Sequence, residues 1–246
     1  MVVLLVACGD DEKLPVRNPA SAAALLERAE SFIYSPLDEG LDSLSFHQSL
    51  LFPGLKTGTI TYDFRAPRSV AFQIDLDPAI PDREDQKASI LENQWRYLWR
   101  FLGLQLGRPL TCMGDRLEAA FVDGPASRQI VLTPDPDSDL APRLVKILCC
   151  FEPEEDLLKS MEAFFEKGDS MMLEFVYKPY KTTDLRLIDF VERWLKTPFG
   201  DQKSKEIYRY QEIEGFHLVT SLMTQTQVMG RVHESESIFS RFKINQ

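Results

Sequence analysis

Ser43-Leu44-Ser45-Phe46-His47-Gln48-Ser49-Leu50-Leu51-Phe52-Pro53-Gly54 alternates in polarity and then breaks at a Pro-Gly turn. Side chains of a strand point to opposite faces in turn, so Leu44, Phe46, Gln48, Leu50 and Phe52 share one face. Ser43, Ser45, His47 and Ser49 share the other. The next stretch repeats the pattern: Ile60, Tyr62 and Phe64 alternate with Thr59, Thr61 and Asp63. Arg65-Ala66-Pro67-Arg68 turns the chain again, and Val70, Phe72, Ile74 and Leu76 form a third row. Three strands joined by short turns make an antiparallel meander, a sheet type that tolerates one dry face and one wet face.

Outward from this meander, Asn18-Pro19 has the form of a helix start, Asn as N-cap and Pro in the first turn. Ala22, Leu25, Leu26, Ala29, Phe32 and Ile33 follow at helical spacing. A Pro-rich loop at 77–82 leads to a second predicted helix over about 84–102. Its apolar stripe is Ala88, Leu91, Trp95, Leu98 and Leu102, widened by Trp99 and Phe101. Strand patterns return at 117–121 and 129–133, while 143–151 is apolar and fits either strand or helix. Residues 161–165 and 171–177 read as a hairpin around Lys167-Gly168-Asp169, with a helix over 155–166 as competitor. Thr183-Asp184 opens a third predicted helix carrying Leu185, Ile188, Val191, Trp194 and Leu195. Strands at 207–213, 216–228 and 238–244 close the chain. About nine strands and three helices, with strand following strand, define an α+β fold: one large curved antiparallel sheet with helices on its concave face.

The chain has 246 residues, 44% hydrophobic and 27% charged, which is enough for a sizeable core. Sixteen Phe, seven Tyr and three Trp suit a sheet with a broad apolar face. The net charge of −10 and the absence of a Lys/Arg cluster argue against nucleic acid as a partner. No nucleophile elbow and no zinc-type spacing occurs, so no catalytic, cofactor or metal site is expected. His47, His217 and His233, the only histidines, fall on the polar sides of their strands. Asp135, Asp137 and Asp139 alternate but lack the Gly and distal Glu of a calcium loop.

Met1-Val2-Val3-Leu4-Leu5-Val6-Ala7-Cys8-Gly9 reads two ways. Leu5-Val6-Ala7-Cys8 resembles a bacterial lipobox, which makes Cys8 a lipidation site and the polar residues after it a tether. The other reading is a buried strand ending at a core cysteine. Segment 1–17 is therefore a truncated signal and tether, or an N-terminal strand, ahead of one domain over 18–246. In an exported chain Cys112 is a partner for Cys149 or Cys150.

Taken in order, several segments resemble LolA-like and LppX-like periplasmic carriers. They are Phe46-His47-Gln48, Phe52-Pro53-Gly54, Gly58 to Phe64, Ala66-Pro67-Arg68, Gln129 to Pro134, Tyr210 to Phe216, and the Phe242 to Asn245 ending. His217-Leu218-Val219 stands where that family has a proline after its hairpin.

The resemblance implies a half-open β-barrel lidded by helices, a cavity for lipid or lipoprotein acyl chains, no catalysis, and a place on the periplasmic face of the cell envelope. Candidate cavity residues are then Phe46, Leu50, Phe52, Tyr62, Phe64, Phe72 and Ile74 from the sheet, with Trp95, Leu98 and Trp99 from the lid. Arg65 and Arg68 flank a turn where they would meet a lipid phosphate, and Cys8 would anchor the chain to a membrane. The competing readings are an envelope interaction or assembly lipoprotein with a solid core, and an enzyme with an unrecognised site.

Overall fold

The computed structural model describes residues 21–52, 55–66, 69–92, 98–108, 110, 117–124, 127–136, 144–166, 168–181, 183–197, 200–228 and 231–246. Twelve strands form one antiparallel sheet: β1 (Ser43–Phe52), β2 (Leu55–Arg65), β3 (Ser69–Leu76), β4 (Leu117–Phe121), β5 (Gln129–Pro134), β6 (Leu144–Phe151), β7 (Leu158–Phe165), β8 (Ser170–Pro179), β9 (Arg186–Thr197), β10 (Gly200–Ile213), β11 (Phe216–Val228) and β12 (Arg231–Ile244). The order across the sheet is β3-β2-β1-β12-β11-β10-β9-β8-β7-β6-β5-β4. The chain therefore runs two meanders, and β12 joins them by returning to β1.

Twelve strands laid flat would span roughly 55 Å at about 4.8 Å per strand. Yet one hydrophobic cluster takes in Ile60 of β2, Phe239 of β12, Val191 of β9 and Ile130 of β5. The sheet is curled around that cluster and not closed, with β3 and β4 as its edges. This is a half-open barrel.

Helix α1 (Ala22–Ser31) precedes β1. Its N-cap is Ser21, whose hydroxyl accepts from the Ala24 amide at 3.1 Å, so the helix starts three residues after the expected Asn18. Asn18 itself lies outside the described residues. Ala22, Leu25 and Ala29 bury one face against the sheet interior beside β4.

The connection from β3 to β4 joins the two opposite edges and crosses the concave face. It carries α2 (Arg83–Glu92) against β3, then a π-helical turn at Leu98–Gly103. The helix expected over 84–102 is thus helical at both ends, with its last turn in π geometry, and 93–97 lie outside the described residues. Phe101 and Leu102 within the π turn, and Leu104 and Leu106 after it, enter the core. This strap (98–107) roofs the interior.

The third predicted helix is strand β9 instead. Its inward row is Ile188, Val191, Arg193 and Leu195, and its outward row Phe190, Glu192 and Trp194. A bulge after Val176 shifts the register at Ile188–Phe190, and an inward arginine interrupts the apolar row. Both erase the period of two and leave a residual spacing that mimics a helix. Outward Phe190 and Trp194 are sheltered by Lys205 and Lys203, whose ammonium groups lie 3.6 and 4.8 Å from the ring centroids.

Residues 144–151 are a strand, and 158–165 pair as β7 against β8 rather than forming a helix. The sheet thus has twelve strands where about nine were expected. Between β10 and β11, Glu214 (φ 50°) and Gly215 (φ 88°) form a two-residue turn with both φ positive, the type that matches strand twist.

Candidate functional site

The inward rows of β9, β10 and β11 place a charged cluster under the strap. Glu206 stands between Val191 and Thr224 across the ladders, and Arg193 pairs with Ser204. The Glu206 side chain is 1% exposed. Its Oε1 lies 2.8 Å from Arg100 Nη2 and 3.5 Å from Arg193 Nε. The Tyr208 hydroxyl donates to Glu206 Oε2 at 3.1 Å, and Arg193 Nε donates to Ser204 Oγ at 2.9 Å. Arg100 comes down from the π turn and also donates to Thr224 Oγ1 at 3.4 Å. Burial pulls Arg193 below the ordinary arginine range, with Glu206 opposing, and pushes Tyr208 up, reinforced by Glu206.

An aromatic cluster adjoins this charge. Phe101, the residue after Arg100, lies 5.5 Å from Phe239 and 6.2 Å from Tyr62, centroid to centroid. Phe46 stacks on Tyr62 at 4.9 Å, and Tyr62 reaches Phe72 at 6.3 Å. The Tyr62 hydroxyl donates to Gln48 Oε1, which accounts for the polar residue in the inward row of β1.

A second feature lies where the sheet splits. β12 pairs with β11 only up to Ile238 and then crosses to β1. The first residues of β11 are left without a strand on that side, and two side chains stand in for it. Gln105 of the strap donates to the Val219 carbonyl at 2.6 Å and accepts from its amide at 2.8 Å. The Tyr34 hydroxyl accepts from the His217 amide at 3.0 Å and donates to Glu39 at 2.8 Å. Desolvation pushes the Tyr34 phenol up. His217, expected on a polar face, instead packs edge-on against Tyr34 and Tyr180 and shares a 3.1 Å hydrogen bond with the Tyr180 hydroxyl.

Beside this split is an open cleft of about 1000 Å³, bounded by Leu187 of β9, Tyr208 and Tyr210 of β10, and Ile238, Phe239 and Phe242 of β12. Removing Gln105 would strand both polar groups of Val219. Gln105→Ala is expected to cost about 2 kcal/mol in urea unfolding, from unpaired buried amide groups, and to speed hydrogen exchange at the Val219 amide.

The candidate cavity residues divide. Phe46, Tyr62 and Phe64 are buried in the core. Leu50, Phe72 and Ile74 pack against it yet keep part of their surface accessible, as does Val70. On the opposite edge Leu117, Ala119 and Phe121 of β4 do the same. Leu98 and Trp99 lie in the π turn, but their side chains and that of Phe52 lie outside the described residues. So do Trp95, Arg68 and Cys8. Arg65 is exposed at the end of β2. Cys149 faces the core and Cys150 does not; both are free thiols, and Cys112 lies outside the described residues. His233 is exposed and His47 half-buried.

Arg100, Arg193 and Glu206 were not among the sequence candidates. The available signal was Arg193 within an apolar alternation and Glu206 between Ser204 and Tyr208 in another. Each is a polar residue at an inward position.

A curled, unclosed antiparallel sheet, with a helical strap over an apolar concave face and a charged cluster beneath, defines the class: a half-open β-barrel. No protein-family model matches the chain, and no curated protein sequence matches it. Among solved structures it is similar to the crystal structure of a LolA superfamily protein from Nitrosomonas europaea, over 92% of this chain and 94% of that one, at 10% identity and a TM-score of 0.36. The fold is defined by this chain's own strand pairing.

Proposed function

We propose that this protein is a cell-envelope carrier that holds the acyl chain of a lipid or lipoprotein against the concave face of its open sheet, and that it does no chemistry on it. The observation that supports this most is the pair of half-buried apolar rows at the two open edges, Val70, Phe72 and Ile74 on β3 and Leu117, Ala119 and Phe121 on β4. Apolar rows that face inward and remain accessible favour a chain-shaped apolar ligand, and each buried methylene is worth ~0.8 kcal/mol. Lipid anchoring at Cys8 and residence on the periplasmic face belong to the same proposal.

Phe72→Asp tests it. A charge in this row is expected to weaken binding of a fluorescent fatty acid more than tenfold, since ~2 kcal/mol of apolar contact is lost and a carboxylate added. Wild-type affinity in a folded Phe72→Asp variant would contradict the carrier reading. A second reading, an assembly lipoprotein with a solid core, is favoured by the ring packing of Phe46, Tyr62, Phe101 and Phe239, which fills the centre of the concave face.

A further inference from the structure

The buried cluster does not balance. Two guanidinium groups, Arg100 and Arg193, face one carboxylate, Glu206; among the described residues no other carboxylate pairs with either. The cluster carries one net positive charge beside core residues, with Val191 paired to Glu206 across the ladder and Phe101 next to Arg100. An uncompensated charge in such surroundings is costly, and a buried cation calls for an anion. Donors remain as well. Arg100 Nε is buried without a hydrogen-bond partner. The Arg100 and Arg193 side chains keep 26% and 20% of their surface accessible although Glu206 is sealed, so the two cations can be reached from outside while their counter-charge cannot.

Position supplies the rest. The Arg100 guanidinium lies 5.3 Å from the centroid of the Phe101 ring, which continues through Tyr62 to half-buried Phe72 on β3. A cationic point at one end of a row of rings fits a molecule with an anionic head and an apolar tail.

We infer that Arg100 and Arg193 form a head-group site for an anionic amphiphile, binding its carboxylate or phosphate oxygens beside Glu206 while the tail follows the aromatic row toward β3. This inference rests on the carrier reading and deepens it by naming the charge and polarity of the cargo. Arg193 is the discriminating residue. Its loss leaves Glu206 with Arg100 and Tyr208, an electrically neutral set, so Arg193→Gln keeps the fold.

Isothermal titration of decanoate against decanol, which differ only in the head, tests this on the full chain. Wild-type protein is expected to bind decanoate about tenfold or more tightly, as a charge-assisted hydrogen bond provides. Arg193→Gln is expected to lose that preference because decanoate binding weakens at least tenfold more than decanol binding, and Arg193→Lys to retain most of it. Equal wild-type affinity for the two, or a preference that survives in Arg193→Gln and Arg100→Gln, overturns the head-group site and leaves the carrier reading intact. Binding of neither ligand overturns both. Acetate or inorganic phosphate binding as tightly as decanoate would mark a site for free anions and overturn the amphiphile assignment. Unfolding of Arg193→Gln at clearly lower urea than wild type would assign Arg193 to structure alone, against the inference.

Discussion

Glu206→Ala is expected to destabilise the protein by about 3–5 kcal/mol, the range seen when one partner of a buried ion pair is removed. The reason is what remains. Glu206 is 1% exposed and is the counter-charge of both Arg100 and Arg193. Without it two guanidiniums confront each other under the strap, and the Tyr208 hydroxyl loses its acceptor. The strap should feel this first, because Arg100 is its ionic tie to β10. Urea unfolding read by far-UV circular dichroism measures the loss, and hydrogen exchange should show 98–107 opening ahead of the sheet. A loss under 1 kcal/mol would mean that the cluster is hydrated far more than its burial indicates. Arg193→Gln, which removes the surplus charge, is expected to fall within about 1 kcal/mol of wild type, so the two substitutions separate charge imbalance from simple loss of contact.

Gly107→Ala is expected to cost about 3 kcal/mol or more. Gly107 has φ +65°, which costs an L-residue roughly 1 kcal/mol. The larger part is steric. A Cβ here would sit 2.0 Å from the Tyr34 carbonyl oxygen and 3.2 Å from the Ser35 Cα, both backbone atoms that have no rotamer to yield with. Pushing 34–35 away breaks the 2.6 Å bond from the Ser35 hydroxyl to the Leu106 carbonyl and withdraws Tyr34 from the His217 amide. The strap and the edge of β11 then loosen together. Gly40→Ala is the control: its φ is +92° with nothing within 4 Å of an added Cβ, so it should show only the conformational cost. Equal losses in the two variants, measured by urea unfolding, would contradict the close approach.

The sequence made the first meander legible because β1, β2 and β3 alternate cleanly and their turns carry Pro or Gly. It made the two-residue turn at Glu214-Gly215 legible for the same reason. It hid β9, where a bulge and the inward Arg193 broke the alternation that identifies a strand. The helical region after β3 was visible as an apolar stripe, but not its change to a π turn, which follows from Phe101 and Leu102 packing into the sheet. The charged site was illegible for a different reason. Arg100, Arg193 and Glu206 become neighbours only once the strap crosses from edge to edge and β9 pairs with β10, and no local pattern encodes that meeting. Gln105 and Tyr34 are hidden likewise, since a side chain that replaces a missing strand is defined by where β12 departs. Phe46, Tyr62, Phe64 and Phe72 are readable from the alternation as inward-facing. Which of the inward residues stay accessible is set by the curled sheet and not by the strand pattern: Phe72 and Ile74 on edge strand β3 do, Tyr62 and Phe64 on β2 do not.

The carrier reading requires an acyl chain to lie against the concave face. Photo-crosslinking with a diazirine-bearing fatty acid, followed by peptide mapping, tests this most directly. Saturable labelling is expected on β1, β3 and the strap, at or next to Leu50, Phe72, Ile74 and Phe101, and excess unlabelled oleate should suppress it. Labelling confined to outward residues such as Phe190 and Trp194, or labelling that oleate does not suppress, would contradict it.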